Sequence, residues 1–477
     1  MEKSGENNST QVKLKLNYKR TAIIGFAFFG ILLLWQVYDS WCPLFLTNLF
    51  KTTFGKNEKE VQYLVGIVMA LDNLAALIML PIFGKLSDKT HTKIGKRMPY
   101  ILIGTFCCAI AFPFIPVLFH YHNLAGTIVL MAIVVFFAMM YRNPAVALMP
   151  DITPKPLRSR ANGVINIMGY LGGACATVVG MIFVLSKYLV GWESGSTSIW
   201  LIETPFLIAS VLMVVSALVL FFTIDENKIE EEMAPQMELG ERMAAVETSV
   251  ADDDVKPMSK SNKIMLLLIL GAEFLWFMAD NGVGTFISIY IADHLKASTA
   301  ALSLCVLVGG VGSVIGFAAG GIIASKIGRK WTITTGLSLT FVALLVWSLF
   351  SWTIKVPSDA TIGSQPFPIY LYVVWFIKGF GMSLVHINSF PMVVELCSNK
   401  NIGKFTGYYY ASSMAAQTIT PCLIGLLMLS DNFGFSQLPL YALCCVFGSI
   451  IIFMFVKNIK SEKIGEKKGF EAFDIDD

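Results

Sequence analysis

Asp39 lies in the run GFAFFGILLLWQVYDSWCPLFLTNLF, and Asp280 lies in LLLILGAEFLWFMADNGVGTFISIY; each follows a tryptophan by four residues, Trp35 and Trp276. A carboxylate offers two acceptor oxygens, which suit neighbouring hydroxyls of a polyol or a transferable proton. An indole one helical turn away can stack on the apolar face of a ring. The bland reading is an acid bonded to a neighbouring helix and a Trp anchored at lipid headgroups. The same constellation occurring twice favours a shared binding hollow.

A charge at the centre of a bilayer costs at least about 2.5 kcal/mol, so ionisable residues in apolar runs face an internal cavity and have partners. Besides Asp39 and Asp280, the runs carry Asp72, Arg142, Glu273, Lys378 and His386. Arg142 stands nine residues before Asp151, about 13 Å along a helix, and its guanidinium can fork onto solute oxygens or hold an acid ionised; Asn143 shares that role. Glu273 shares a helix face with Asp280 and belongs to an inner vestibule. Lys378 either pairs with Asp280 or snorkels to the surface. Asp72, beside Asn73, is a candidate proton site. Asn166 and Gln417 could bond a hydroxylated ligand or another helix.

These side chains must be held by helices in lipid. The 477 residues are 55% hydrophobic and 14% charged, whereas soluble domains carry about one quarter charged residues. Stretches near the length that crosses hydrocarbon start close to residues 20, 61, 98, 124, 161, 199, 262, 299, 329, 367, 402 and 436. Period-two alternation, which a barrel requires, is absent. The expected fold is therefore an all-α membrane protein of twelve transmembrane helices in two pseudo-symmetric six-helix bundles. Loop Lys and Arg gather on the side of both termini, which makes the termini cytoplasmic. The nine cysteines fall in spans without metal-ligand spacing, so no metal site and no disulfide framework is expected.

The halves repeat by fixed offsets. WQVYDS at 35 matches WFMADN at 276, GKLSDK at 84 matches GIIASK at 321, and Asp151, Arg160 and Gly163 recur as Glu395, Lys404 and Gly407; Arg142 falls opposite His386. The expected organisation is a tail at 1–19, bundles at 20–223 and 262–458, a tail at 459–477, and an acidic linker at 224–261 read as a flexible cytoplasmic tether because it lacks an apolar span. Asp151 with Arg160 and Glu395 with Lys404 flank equivalent turns and read as latches of a cytoplasmic gate, joined by Asp88; the alternative is helix-end charges bonded to backbone.

Six plus six helices with Gly84, Asp88, Gly95, Lys96 and Arg97 between the second and third spans resemble the major facilitator superfamily. In that loop signature the acid accepts from a neighbouring helix end while the cations stay in water. The stretches NPAVALMPDITPKPLRSRANGVINIMGYLGG and GKRMPYILIGT are similar to the sucrose-transporter branch and the glycoside, pentoside and hexuronide cation symporters. The resemblance implies alternating access and lends Asp151 a role in a proton step. Melibiose-type symporters carry two acids where this chain has Ala76 and Leu80, which favours protons over sodium as the coupling ion.

The function expected is a secondary transporter in the plasma membrane moving a sugar or glycoside, sucrose- or maltose-like, by proton symport, as a monomer with no cofactor and no nucleic-acid partner. The alternatives are a proton-coupled antiporter exporting amphipathic compounds and a transporter-like sugar sensor. No phosphate loop, nucleophile elbow or His/Glu metal cluster suggests an enzyme.

Overall fold

The computed structural model describes residues 14–154, 157–192, 197–250, 260–394, 396, 402–430 and 432–457, except the side chains of 159, 160, 241–250, 394, 402–404 and 406. The calls on Arg160, Glu395 and Lys404 therefore lie outside the described side chains.

The helices in chain order are α1 Tyr18–Phe54, α2 Glu58–Asp88, α3 Met98–Ala111, α4 Phe114–His120, α5 Leu124–Asp151, α6 Arg158–Ile182, α7 Leu185–Trp192, α8 Trp200–Thr223, α9 Glu226–Val250, α10 Lys260–Ile289, α11 Thr299–Ile327, α12 Arg329–Ser351, α13 Tyr370–Val394, α14 Ile402–Leu427 and α15 Leu438–Met454. The runs are punctuated by side chains able to satisfy free helix ends. Asn17 accepts from the Arg20 N–H at 3.1 Å to start α1, and Gly55, at φ 62°, closes it with an N–H to the Lys51 carbonyl. Asn123 caps α5 through the Gly126 N–H at 2.9 Å.

Eleven segments among the described residues are long and apolar enough to cross a membrane. The expected span at 402 is not among them. Its helix, α14, has 26 residues, but Tyr408, Tyr409, Tyr410, Ser412, Ser413 and Gln417 dilute its hydropathy, and it lies against α2 and α10.

The halves repeat in packing as well as in sequence. In the first, α1 packs on α6 and α8, α2 on α5, and α3 on α5 and α8; in the second, α10 packs on α14 and α15, α11 on α13, and α12 on α13 and α15. Between them α1 meets α10, α2 meets α14 and α6 meets α11, the crossed pairing of a pseudo-two-fold axis.

Loops alternate between a terminal face, where the chain enters α1 and leaves α15, and a far face opposite. At the far end Trp41–Phe50 of α1 and Thr285–Asp293 from α10 onward are buried without a break. A Cβ on Gly66 of α2 would stand 2.1 Å from the Pro421 carbonyl oxygen of α14, and one on Gly425 of α14 2.5 Å from the Tyr63 Cα of α2. Ser186 and Thr299 exchange hydrogen bonds of 3.1 and 3.3 Å across the same end. Toward the terminal face the same helices turn exposed, with Leu77, Ile78, Ile82 and Leu86 on α2, Ile167 and Leu171 on α6, and Ile315 and Ile322 on α11. Among the described residues the halves are tied together at the far face, and toward the terminal face the seam helices carry exposed apolar side chains.

The linker is not wholly a loose tether. Ile229 and Met233 of α9 are buried in the first half and Met237 packs against it. Spacing of four puts these residues on one helical face, while Glu230, Glu231, Glu232 and Glu238 stand exposed.

Candidate functional site

Midway along α1, Tyr38 points inward, is 1% exposed, and donates its hydroxyl to the Asp72 carboxylate of α2 at 2.7 Å. Asp39, one residue on, lies deep among the helices with Arg142 of α5 close enough for their charges to interact, and its side chain is nonetheless open. An acid enclosed by helices yet open to solvent lines a hollow rather than the lipid face. Trp35, packed edge-on against Tyr38 at 5.5 Å, stays partly exposed on the same stretch. Gln36 donates to Ser40 at 3.0 Å, completing a polar strip on α1. The kink-prone Pro144 follows Arg142 by two residues and removes one helical N–H there.

The second half builds a matching group. Asp280 of α10 is hydrogen-bonded and ion-paired to Lys378 of α13, whose side chain is 15% exposed. His386, one face further along α13, joins the same electrostatic group and lies 5.2 Å from the Phe277 ring. Lys378 thus takes the pairing option and does not snorkel. The repeat mates Arg142 and His386 each sit beside the repeat-mate acid of their own half, Asp39 and Asp280.

Between the groups, Asn166 on α6 is exposed and Gln417 on α14 partly so, while Asn73 of α2 donates to the Gln417 carbonyl at 3.2 Å across the seam.

Three expectations need correction. Trp276 is 0% exposed and packs on Phe453 of α15, so it fills the second half's core and cannot stack on a solute; the large apolar indole finds a dry pocket where its mate Trp35 does not. Asn143 is spent on packing, donating to the Leu80 carbonyl of α2, and does not share Arg142's place. Glu273 is 0% exposed, which removes it from any open vestibule.

At the terminal face Arg160, Glu395 and Lys404 of the expected latches lie outside the described side chains, and Asp151 and Asp88 have partners among the described residues. Arg97 donates to Asp151 through Nε at 2.8 Å and pairs with Asp88, and Lys96 adds a 3.4 Å contact to Asp151. Among the described residues, Asp151 and Asp88 thus tie α2, the following loop and α5 within one half. Nor does Arg97 stay in water, for its side chain is 6% exposed. Burial opposes its charge, but the hydrogen bonds and charges of Asp151 and Asp88 outweigh that and hold its pKa above the ordinary value.

The linker helix completes this corner. Glu226, 1% exposed, accepts from the backbone N–H of Arg97 at 3.0 Å and of Met98 at 3.2 Å, satisfying free donors at the start of α3. Gly95 has φ 106°, and a Cβ there would meet the Glu226 carboxylate at 2.1 Å, so only glycine admits the acid. Asn227 donates to the Thr92 and Lys93 carbonyls, and Glu230 pairs with Lys96 at 3.3 Å. Burial pushes the Glu226 pKa up, with the backbone N–H groups of Arg97, Met98 and Lys96 pulling the other way.

Sequence reasoning also missed Tyr38 and the far-face ion pairs. There Glu58 takes Lys51 at 2.8 Å and, across the seam, Lys296 at 3.7 Å, while Lys59 reaches the Ser430 carbonyl at 2.5 Å. Tyr38 was legible as a phenol beside an acid in a hydrophobic run. The loop charges had no intramembrane position to mark them.

Among the described residues no cluster could hold a metal ion. Comparison with known proteins matches residues 3–177, 174–360 and 269–473 to the Major Facilitator Superfamily. An uncharacterized MFS-type transporter, YttB of Bacillus subtilis (strain 168), is 26% identical over 197 residues, 41% of this chain and 43% of that one, so less than half of that relative's length is matched. Among solved structures, a D-xylose-proton symporter superposes with TM-score 0.64 at 14% identity, over 94% of this chain and 100% of that one. The inward open conformation of the xylose transporter XylE from E. coli gives 0.63 at 14% identity, over 93% and 96%. At such identity the likeness is one of fold.

Proposed function

The chain belongs to the major facilitator superfamily, and from that premise we propose that it is a secondary transporter of a sugar or glycoside, working by alternating access and driven by protons. The superfamily makes it a transporter and not an enzyme. Twelve membrane spans, with α14 lying among the others, a terminal face turned to the cytoplasm and a plasma-membrane location go with this reading.

The observation that carries it is the pair of repeat-related polar groups at mid-height of the hollow: Asp39 with Arg142, Asp72 and Tyr38 on one side, Asp280 with Lys378 and His386 on the other. Lipid does not tolerate such groups, and a hydroxylated solute, which both donates and accepts, matches them. Trp35, partly exposed beside Tyr38, supplies an indole available to a ring face. The far-face ties and the exposed seam toward the terminal face support a state open to the terminal side, one of two access states, and helices that pack on glycine at one end are suited to rocking about the midpoint.

The test is uptake of labelled xylose, sucrose and maltose into proteoliposomes under an imposed proton or sodium gradient, for the native chain, Asp39→Asn and Asp280→Asn. Proton-driven uptake of at least one sugar, lost in both variants, is expected. Uptake indifferent to both substitutions, or driven only by sodium, refutes the assignment; export of amphipathic cations in place of sugar uptake establishes the antiporter.

A further inference from the structure

Glu273 presents a different problem from the other acids. It lies in the middle of α10, about 10 Å from Asp280 toward the terminal face at 1.5 Å per residue, and both of its carboxylate oxygens are buried without a hydrogen-bond partner among the described residues. Hydroxyl groups are at hand but committed elsewhere. Ser412 of α14 donates to the Leu270 carbonyl at 3.0 Å, Ser449 of α15 to the Ala272 carbonyl at 3.0 Å, and the Tyr409 hydroxyl of α14 is bonded to Ser389 of α13 at 2.8 Å.

The surrounding charges do not answer it either. From α14, Tyr409 is the titratable group whose electrostatics involve Glu273, and the Lys404 side chain lies outside those described. From α13, His386 is engaged with Asp280 and Lys378. From α15, Cys445 interacts with Tyr441 and Cys444. From α1, Asp39 answers to Arg142. Among the described residues an ionised carboxylate in such a place would be neither solvated nor paired, and a group so placed takes up a proton instead.

We propose that Glu273 carries the coupling proton, held as a neutral acid between α10, α13, α14 and α15, at a site separate from the solute site at Asp39 and Asp280. The inference rests on the transporter reading above and names its ion-carrying residue. On loading, a hydronium ion gives its proton to the carboxylate and leaves water; on unloading, the same O–H bond breaks to a water admitted from the other side. The Tyr409–Ser389 pair is the wall that must shift to admit that water, and α14 belongs to the seam that opens and closes with access.

Two measurements test this. In the first, infrared spectra of the native chain in lipid vesicles at neutral pH are compared with those of Glu273→Gln, the isostere of the neutral acid. A protonated-carboxyl C=O band present in the native chain and missing from the variant is expected; its absence from the native chain overturns the proposal. In the second, Glu273→Gln is expected to retain counterflow of labelled xylose or sucrose at equal pH on both sides, and to lose at least tenfold in uphill accumulation driven by a pH gradient. Native-like uphill accumulation by Glu273→Gln overturns the coupling role even if the band is present. If the native chain moves none of the sugars, the transporter reading fails and the coupling role falls with it, while the infrared result still decides whether Glu273 holds a proton.

Discussion

Replacing Gly66 by alanine should tip the balance between the two access states. The added Cβ would lie 2.1 Å from the Pro421 carbonyl oxygen, 2.7 Å from its carbon and 3.3 Å from the Cys422 nitrogen. All three are backbone atoms of the opposite half, so no side chain can rotate away. Overpacking of this kind costs about 1–3 kcal/mol. The contact exists only while the far face is closed, so the whole cost falls on this state and the equilibrium moves about 5- to 150-fold toward the far-open one. The assay places Ser40→Cys, beside Asp39, in a cysteine-depleted chain and compares labelling by an impermeant thiol reagent in right-side-out and inverted vesicles. Reaction from the terminal face should dominate natively, and reaction from the far face should rise in Gly66→Ala. Gly173→Ala on α6, whose Cβ meets nothing within 4 Å, is the control and should label as native. Labelling of Gly66→Ala indistinguishable from that control would refute the view that α2–α14 packing closes the far face.

Further outcomes follow from the same structure. Asp280→Asn leaves Lys378 without its partner and should destabilise by about 1–3 kcal/mol, below the range for fully buried pairs because 38% of the Asp280 side chain is open; adding Lys378→Met should restore thermal stability in detergent but not uptake. Arg97→Ala removes the nearer of Asp151's two cationic partners and leaves Lys96 at 3.4 Å, with the Asp151 side chain 21% exposed; it should cost about 1–3 kcal/mol, read as a fall in melting temperature, whereas Lys96→Ala should cost far less. Trp276→Ala should lose about 3–5 kcal/mol of stability by cavity formation, while Trp35→Ala should lose uptake with little change in melting. The raised pKa of Glu226 means that the folded chain binds its proton more tightly than the unfolded chain. Its contribution relative to Glu226→Gln should therefore be largest in acid and shrink as pH rises through and above the ordinary carboxylate range, measured as the pH dependence of the difference in melting temperature.

The fold was legible because lipid leaves the sequence little freedom: a helix-length apolar run can satisfy its backbone only as a helix, and two copies of WxxxD at one offset fix how the copies correspond. The acids were legible for the same reason, since each interrupts a run that should have none. What stayed hidden depended on rotation about the helix axis. Trp35 and Trp276 hold the same place in the repeat, yet one borders the hollow and the other fills the core, because their neighbours Tyr38 and Ala279 differ in bulk and polarity. Asn143 follows Arg142 in sequence but points about 100° away on a helix of 3.6 residues per turn, toward α2. In the linker, Ile229, Met233 and Met237 carried a helical stripe that overall acidity concealed.

The repeat preserves position but not charge, and this asymmetry bears on the solute. Tyr38 and Asp72 have counterparts by offset in Ala279 and Gly309, so the second half lacks the extra acid, while Lys378 has no cationic counterpart in the first. The first half therefore presents two acids to one guanidinium, an excess of acceptors. The second half presents one acid already held by Lys378, with His386 beside it, and so has donors to offer. A solute meeting both walls must donate to α1 and accept from α13, which hydroxyl groups do and an amphipathic cation, lacking acceptors, does not. On this argument Lys378→Met should impair sugar uptake more than it impairs binding of a lipophilic cation in a displacement assay; equal losses would mean that the two walls do not divide donors and acceptors between them.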